Sequence, residues 1–186
     1  MDVGAAQAVL MYFVLSLWLA AGFADYLCHR ASSIETTSGG KESLLHLLQF
    51  GEMAIPVLAA IFLEINALVM IIMIVCLNLH EATAIGMSAT LTAGAKSPPP
   101  NSTCTAFWRC FLLWGLLIVA TLHWQQFLSL FGLGSEMSDF GVRLKQPPLP
   151  WLYVTTILSV VLLFEVLPYL EELFRGLRQE TTRHER

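Results

Sequence analysis

The chain has 186 residues, 56% of them hydrophobic and only 13% charged. Soluble domains are about a quarter charged, so the composition excludes a soluble globular protein. It implies a single integral membrane domain, residues 1–186, whose partner is the lipid bilayer rather than a nucleic acid. The net charge of -4 decides little, because in membrane proteins the placement of charge matters more than its sum.

Residues 4–24 carry no charge and are long enough to cross a ~30 Å hydrocarbon core. No basic segment precedes them, which argues against a cleaved signal peptide. Asp25, His29, Arg30 and Glu35 follow where this first span would end.

Residues 43–83 are harder to place. As one helix they would run roughly 60 Å, twice the bilayer. Either a surface helix leads into one long span that strands Glu64 near mid-membrane, or 43–63 crosses, 64–66 turns, and 67–83 returns. A carboxylate at the bilayer centre costs at least ~2.5 kcal/mol, so the hairpin is preferred even though its turn lacks Gly and Pro.

Two further spans are predicted at 107–131 and 151–170, the latter opened by Pro150 and an interfacial Trp151. The fold class is therefore all-α, a polytopic helical bundle with five spans preferred over four. Five spans place Arg30, Lys41, Lys96, Arg109, Arg175, Arg178, Arg183 and Arg186 on one side and only Arg143 and Lys145 on the other. The positive-inside rule then puts the N-terminus outside and the C-terminus, with a charged tail at 172–186, in the cytoplasm.

That topology gathers chemistry at the cytoplasmic end. His46 and His80 stand nearly equidistant from Glu64, so the hairpin brings them to similar depth. Glu42 shares a helical face with His46, Glu81 adjoins His80, and His29 and Glu35 leave the first span on the same side. The predicted metal ligands are therefore His29, Glu35, Glu42, His46, His80 and Glu81. Carboxylates and imidazoles on facing helices are how ferritin-like bundles hold two metal ions, and the mixture points to iron or manganese. Asn66 and Asn78 read as interhelical hydrogen-bonding residues. Glu165, two-thirds along the last span, has no partner assignable from sequence. His123 lies at the opposite interface, outside the site. The four cysteines, Cys28, Cys76, Cys104 and Cys110, form no CxxC pair and no disulfide framework, and no internal repeat is present.

The segments "DYLCHRASSIETTSGGKESLLHLLQFGEMAIPVL" (25–58), "FLEINAL" and "LHEATA" (62–84) resemble a family of small bacterial integral membrane proteins of uncharacterised activity. The likeness resumes at "LLIVATLHWQQFLSLFG" (116–132) and runs to the C-terminus. It implies a multi-pass protein of the bacterial inner membrane. Some members bear a diguanylate cyclase label, which this chain does not support because it has no soluble nucleotide-binding domain.

The family continues its HEAT motif with Trp-Asp-x-Arg-Tyr-Ala and later Pro-x-Glu-Gln-His-x-His-Ser; this chain has unrelated text there. Reading the codons of residues 100–111 one base out of register permits Glu-Gln-His-Val-His-Ser-Phe-Leu-Glu-Met-Leu. The same shift over residues 85–91 permits Trp-Asp-Val-Arg-Tyr-Ala. Residues 85–113 are thus most simply a frameshifted segment, in which Cys104, Cys110 and the Asn101 sequon are accidents of frame. The expected function is a di-iron or di-manganese membrane protein, an oxidoreductase acting on a lipid-soluble substrate, with its metal site incomplete in this chain. The alternative is a non-enzymatic protein that handles metal or haem or serves as a structural subunit.

Overall fold

The structure is a computed structural model, and it describes residues 3–31, 40–92 and 102–184. For His29, Glu42 and residues 102–111 it describes the backbone alone. Among the described residues there are helices and no strands, and the chain is an all-α, multi-pass membrane bundle.

Helix α1 (residues 3–31) is continuous through a wider, π-helical turn at Val9–Val14. Within that turn the Met11 carbonyl accepts the Tyr153 hydroxyl at 3.0 Å, which ties α1 to the last helix. Helix α2 is Gly40–Phe62 and α3 is Ala67–Thr92. The chain reverses between them, so the hairpin reading holds and the single long span does not. The 21-residue apolar stretch Ala67–Met87 rises about 31 Å, one bilayer thickness.

The turn works without Gly or Pro because Asn66 caps α3. Its Oδ1 accepts the Val69 N–H at 3.2 Å, while its Nδ2 donates to the Gly141 carbonyl at 2.7 Å. Asn66 is thus a helix cap and a loop anchor rather than an interhelical bridge. Asn78 is not interhelical either. It is exposed and donates to Ile74 of its own helix at 2.7 Å.

Helix α4 is Ser102–Leu122, shorter than the predicted 107–131 span at its far end. His123 leaves helical geometry at φ -116°, ψ 42°, and a separate short helix α5 follows at Trp124–Ser129. Helix α6 (residues 151–184) starts after Pro150 and contains a second π-helical turn, Leu162–Val166. Four stretches are long and apolar enough to cross a membrane: Gly4–Cys28, Ser43–Phe62, Ala67–Met87 and Trp151–Arg178. In α4 the described apolar part is Leu112–Leu122. The unusual segment 85–113 is divided between the end of α3 and the start of α4, and residues 93–101 lie outside the described ones.

Packing is layered along the bundle. Near the α2–α3 turn the core is apolar, with Ala59, Val69, Met70, Met73, Val119 and Ala120 buried together. A middle layer joins Trp18, Leu19, Met53, Cys76 and Ile157, and Trp18 stacks on Phe50 at 6.0 Å. Toward the opposite end the buried side chains turn polar: Asp25, Ser43, Gln49, His80, Glu165 and Glu172.

The loop 132–150 closes the turn end. Leu63 and Leu144 form an antiparallel bridge, with Glu64 N–H donating to the Arg143 carbonyl at 3.0 Å and Lys145 N–H to the Phe62 carbonyl at 2.8 Å. Lys145 Nζ donates to the Ala60 carbonyl, a cation placed on the C-terminal end of α2. Burial holds the Lys145 ammonium below its usual range. Burial first and Lys145 second hold His123 below its ordinary value.

Candidate functional site

The hairpin positions the first part of the site. Glu52 on α2 faces His80 on α3, with His80 Nδ1 3.8 Å from Glu52 Oε2. The other carboxylate oxygen, Oε1, accepts the Thr83 hydroxyl at 2.8 Å, whereas the 3.8 Å between Oε2 and His80 Nδ1 is beyond hydrogen-bonding distance. His80 is 5% exposed, and Gln49, one turn along α2 from Glu52, is buried too. A second imidazole, His46, stacks on the Tyr169 ring of α6 at 5.3 Å and 24°.

These contacts revise the expected depths. His80 sits beside Glu52, about 9 Å along the α2 axis from His46. The turn takes up residues 63–66, so depth counts from the helix ends Phe62 and Ala67, and equal counts from there bring His80 to the Gln49–Glu52 turn. Of the other predicted ligands, Glu81 is half-buried on α3 beside His80. The side chains of His29 and Glu42 and the whole of Glu35 lie outside the described residues.

The second part lies where α1, α2 and α6 meet. Tyr169 donates to Asp25 Oδ2 at 3.2 Å, and its hydroxyl lies 3.4 Å from the Gly22 carbonyl. Ser43 donates to Glu172 Oε1 at 2.7 Å in a fully buried contact. Glu172, which the sequence assigns to a charged tail, is 0% exposed, and the helix continues past it to His184. The rim of this layer is an ion-pair cluster. Glu171 receives Tyr26 at 3.2 Å, Arg30 at 3.5 Å and Arg175 at 2.9 Å, and Arg30 also donates to the Tyr26 hydroxyl at 2.9 Å.

Sequence reasoning passed over Glu52, Tyr169 and Glu172. For α6 the signal is present, since Glu165, Tyr169 and Glu172 stand at i, i+4 and i+7 and must share a face. For Glu52 it emerges only once the hairpin is counted from its helix ends.

Mixed carboxylate and imidazole donors suit iron or manganese. At Glu52 and His80 two such donors meet, and Thr83 orients the carboxylate as outer partners orient metal ligands. Among the described residues no three of His, Cys, Asp and Glu converge as a metal-holding group. The described donors therefore fall short of a coordination sphere, and no chemical step is assigned to a metal. No protein-family model, curated protein or solved structure matches the chain.

Proposed function

We propose that the bundle belongs to a class of metal-dependent membrane proteins, with iron or manganese as cofactor, and that its intact form is an oxidoreductase acting on a lipid-soluble substrate. The observation that carries this reading is the buried Glu52–His80 pair, an oriented carboxylate against an imidazole inside membrane-spanning helices. Ionisable residues at such depth are costly and mark function by default. The remaining donors would come from Glu81, beside His80, together with the acid and histidines that the alternative frame of residues 85–113 restores, whereas His46 stacks on Tyr169 about 9 Å farther along α2. The chain as written then holds an incomplete site.

The same proposal places the protein in the bacterial inner membrane with its N-terminus outside and its C-terminus in the cytoplasm. The support is the eight-to-two distribution of Lys and Arg when α4 also crosses. A non-enzymatic role, in metal or haem handling, is the second reading. It is favoured by a site whose described donors stop at two.

Elemental analysis of the purified chain and of a version with 85–113 restored to the alternative frame tests the proposal. The restored protein is expected to hold about two iron or manganese ions, by analogy with ferritin-like bundles, and the chain as written little or none. Exchanging Glu52 or His80 for Gln in the restored protein should lower its metal content. An empty restored protein would sink the metal reading, and equal stoichiometric metal in both would show that 85–113 supplies no ligand.

A further inference from the structure

The loop that closes the turn end of the bundle turns its polar groups inward. Glu136 Oε2 accepts Gln126 of α5 at 2.8 Å, and the Asp139 N–H donates to Gln126 Oε1 at 3.3 Å. The Ser138 hydroxyl donates to the Ser129 carbonyl at 2.8 Å, and the Gly141 carbonyl accepts Asn66. The apolar side chains are left outside. Phe140, Val142 and Leu144 are 55%, 73% and 69% exposed. Between the last two, the Arg143 guanidinium turns back to Asp139 at 2.6 Å. A loop facing water carries the opposite pattern, and apolar groups gathered in this way mark a surface that something covers.

The backbone of the loop fixes its depth. Lys145 N–H donates to the Phe62 carbonyl at 2.8 Å and Glu64 N–H to the Arg143 carbonyl at 3.0 Å, level with the end of α2. Leu68 N–H donates to the Asp139 carbonyl at 3.2 Å, level with the first turn of α3. The Lys145 ammonium reaches further back, to the Ala60 carbonyl. The apolar stretches Ser43–Phe62 and Ala67–Met87 end and begin at this level. Residues 139–145 therefore lie at the membrane boundary and not beyond it.

The apolar surface runs on from there. Phe62, bonded through its carbonyl to Lys145, is exposed on α2, and Trp151 and Leu152 are exposed where α6 opens. Trp151 stands at the position that interfacial tryptophans occupy. At this depth every exposed group on the outside of the bundle meets lipid, so lipid is the occupant that the loop's face fits. Its depth is bounded from the other side too. Among the described residues no acceptor takes up the N–H groups of Val142 and Leu144, which hydrocarbon would penalise and hydrated headgroups would not.

We propose that Phe140, Val142 and Leu144 form a lipid-anchoring face seated in the headgroup–acyl boundary of the leaflet on the side of the α2–α3 turn. Because the same segment is bonded to both ends of the hairpin, its seating in lipid fixes the level of that turn. The face uses neither Glu52, His80 nor residues 85–113, so it stands or falls independently of the metal reading.

Photoreactive benzoylphenylalanine placed singly at Phe140, Val142 or Leu144 of the full-length chain, in cell membranes, reads what covers the face. Leu152, at the start of a span, is the lipid-facing reference. Irradiation should attach phospholipid at all three positions in yields comparable with Leu152, read as phospholipid-sized mass increases. A second measurement uses Val142→Trp in phosphatidylcholine vesicles. The emission it adds to that of the unsubstituted protein should be lost more to lipids brominated near the headgroup than to lipids brominated near the chain end. Cross-links to a second copy or to another protein in place of lipid overturn the proposal, as do lipid adducts at Leu152 with none at the three loop positions. Added emission that no brominated lipid quenches, or that the chain-end bromines quench most, equally overturns it. If the photoreactive side chain prevents folding, the tryptophan variant decides alone.

Discussion

Asn66 and Asn78 allow the hairpin to be tested with one chemical change in two settings. Asn66 is 5% exposed, and its side chain makes two bonds, accepting the Val69 N–H and donating to the Gly141 carbonyl. Asn66→Ala removes the cap of α3, worth about 1 kcal/mol. It also removes the anchor of the 132–150 loop, worth about 1 kcal/mol more because water can reach the exposed Gly141 carbonyl. The expected loss is about 2 kcal/mol. Asn66→Ser keeps an oxygen for the cap and loses the donor to Gly141, so about half of that loss is expected. Asn78→Ala removes an exposed bond within one helix and should cost no more than about 0.5 kcal/mol.

Reversible unfolding in mixed detergent micelles, followed by circular dichroism, measures all three. If Asn66→Ala and Asn78→Ala cost the same, Asn66 does not organise the turn. If Asn66→Ser costs as much as Asn66→Ala, the cap contributes nothing and the reasoning about how a turn without Gly or Pro forms is wrong.

Two further outcomes are expected at the same end of the bundle. Burial and then Lys145 depress His123 from its ordinary 6.5, so the unfolded chain takes up a proton before the folded one as pH falls. The stability present above about 6.5 should decline as the pH drops through that value toward the folded one, and His123→Gln should flatten the decline in melting temperature between about pH 8 and 5. Reporter fusions after Arg186 and within 132–145 should report opposite sides of the membrane; two cytoplasmic signals would refute five crossings.

The hairpin was legible because a single energetic comparison decides it. Glu64 is cheaper at an interface than at mid-membrane, and the structure places it at the turn between Phe62 and Ala67. The break at His123 was legible only in part. His123 and Trp124 mark an interface in the sequence, but the predicted span runs past them to 131, whereas α4 ends at Leu122 and α5 begins at Trp124. The closing loop was hidden for a different reason. Its attachments at Glu64, Leu68 and Lys145 run through backbone N–H groups, which every residue type carries.

The candidate site was legible in part, and its polarity gradient explains which part. Acids and imidazoles cluster at the end where Arg30, Arg175 and Tyr26 can meet Glu171 at the rim, while Met70 and its neighbours fill the turn end. A sequence reading that tracks only where charged residues leave the spans finds the rim side of this cluster, His29, Glu42, His46 and their neighbours. It discounts acids inside the spans as isolated, and so misses Glu52 and leaves Glu165 without a partner. Glu52 becomes interpretable only when helix faces are matched across the bundle, where it meets His80. The polar layer deep in the bundle is therefore a property of registers between helices, and single-helix periodicity constrains those registers only through the turn that joins α2 to α3.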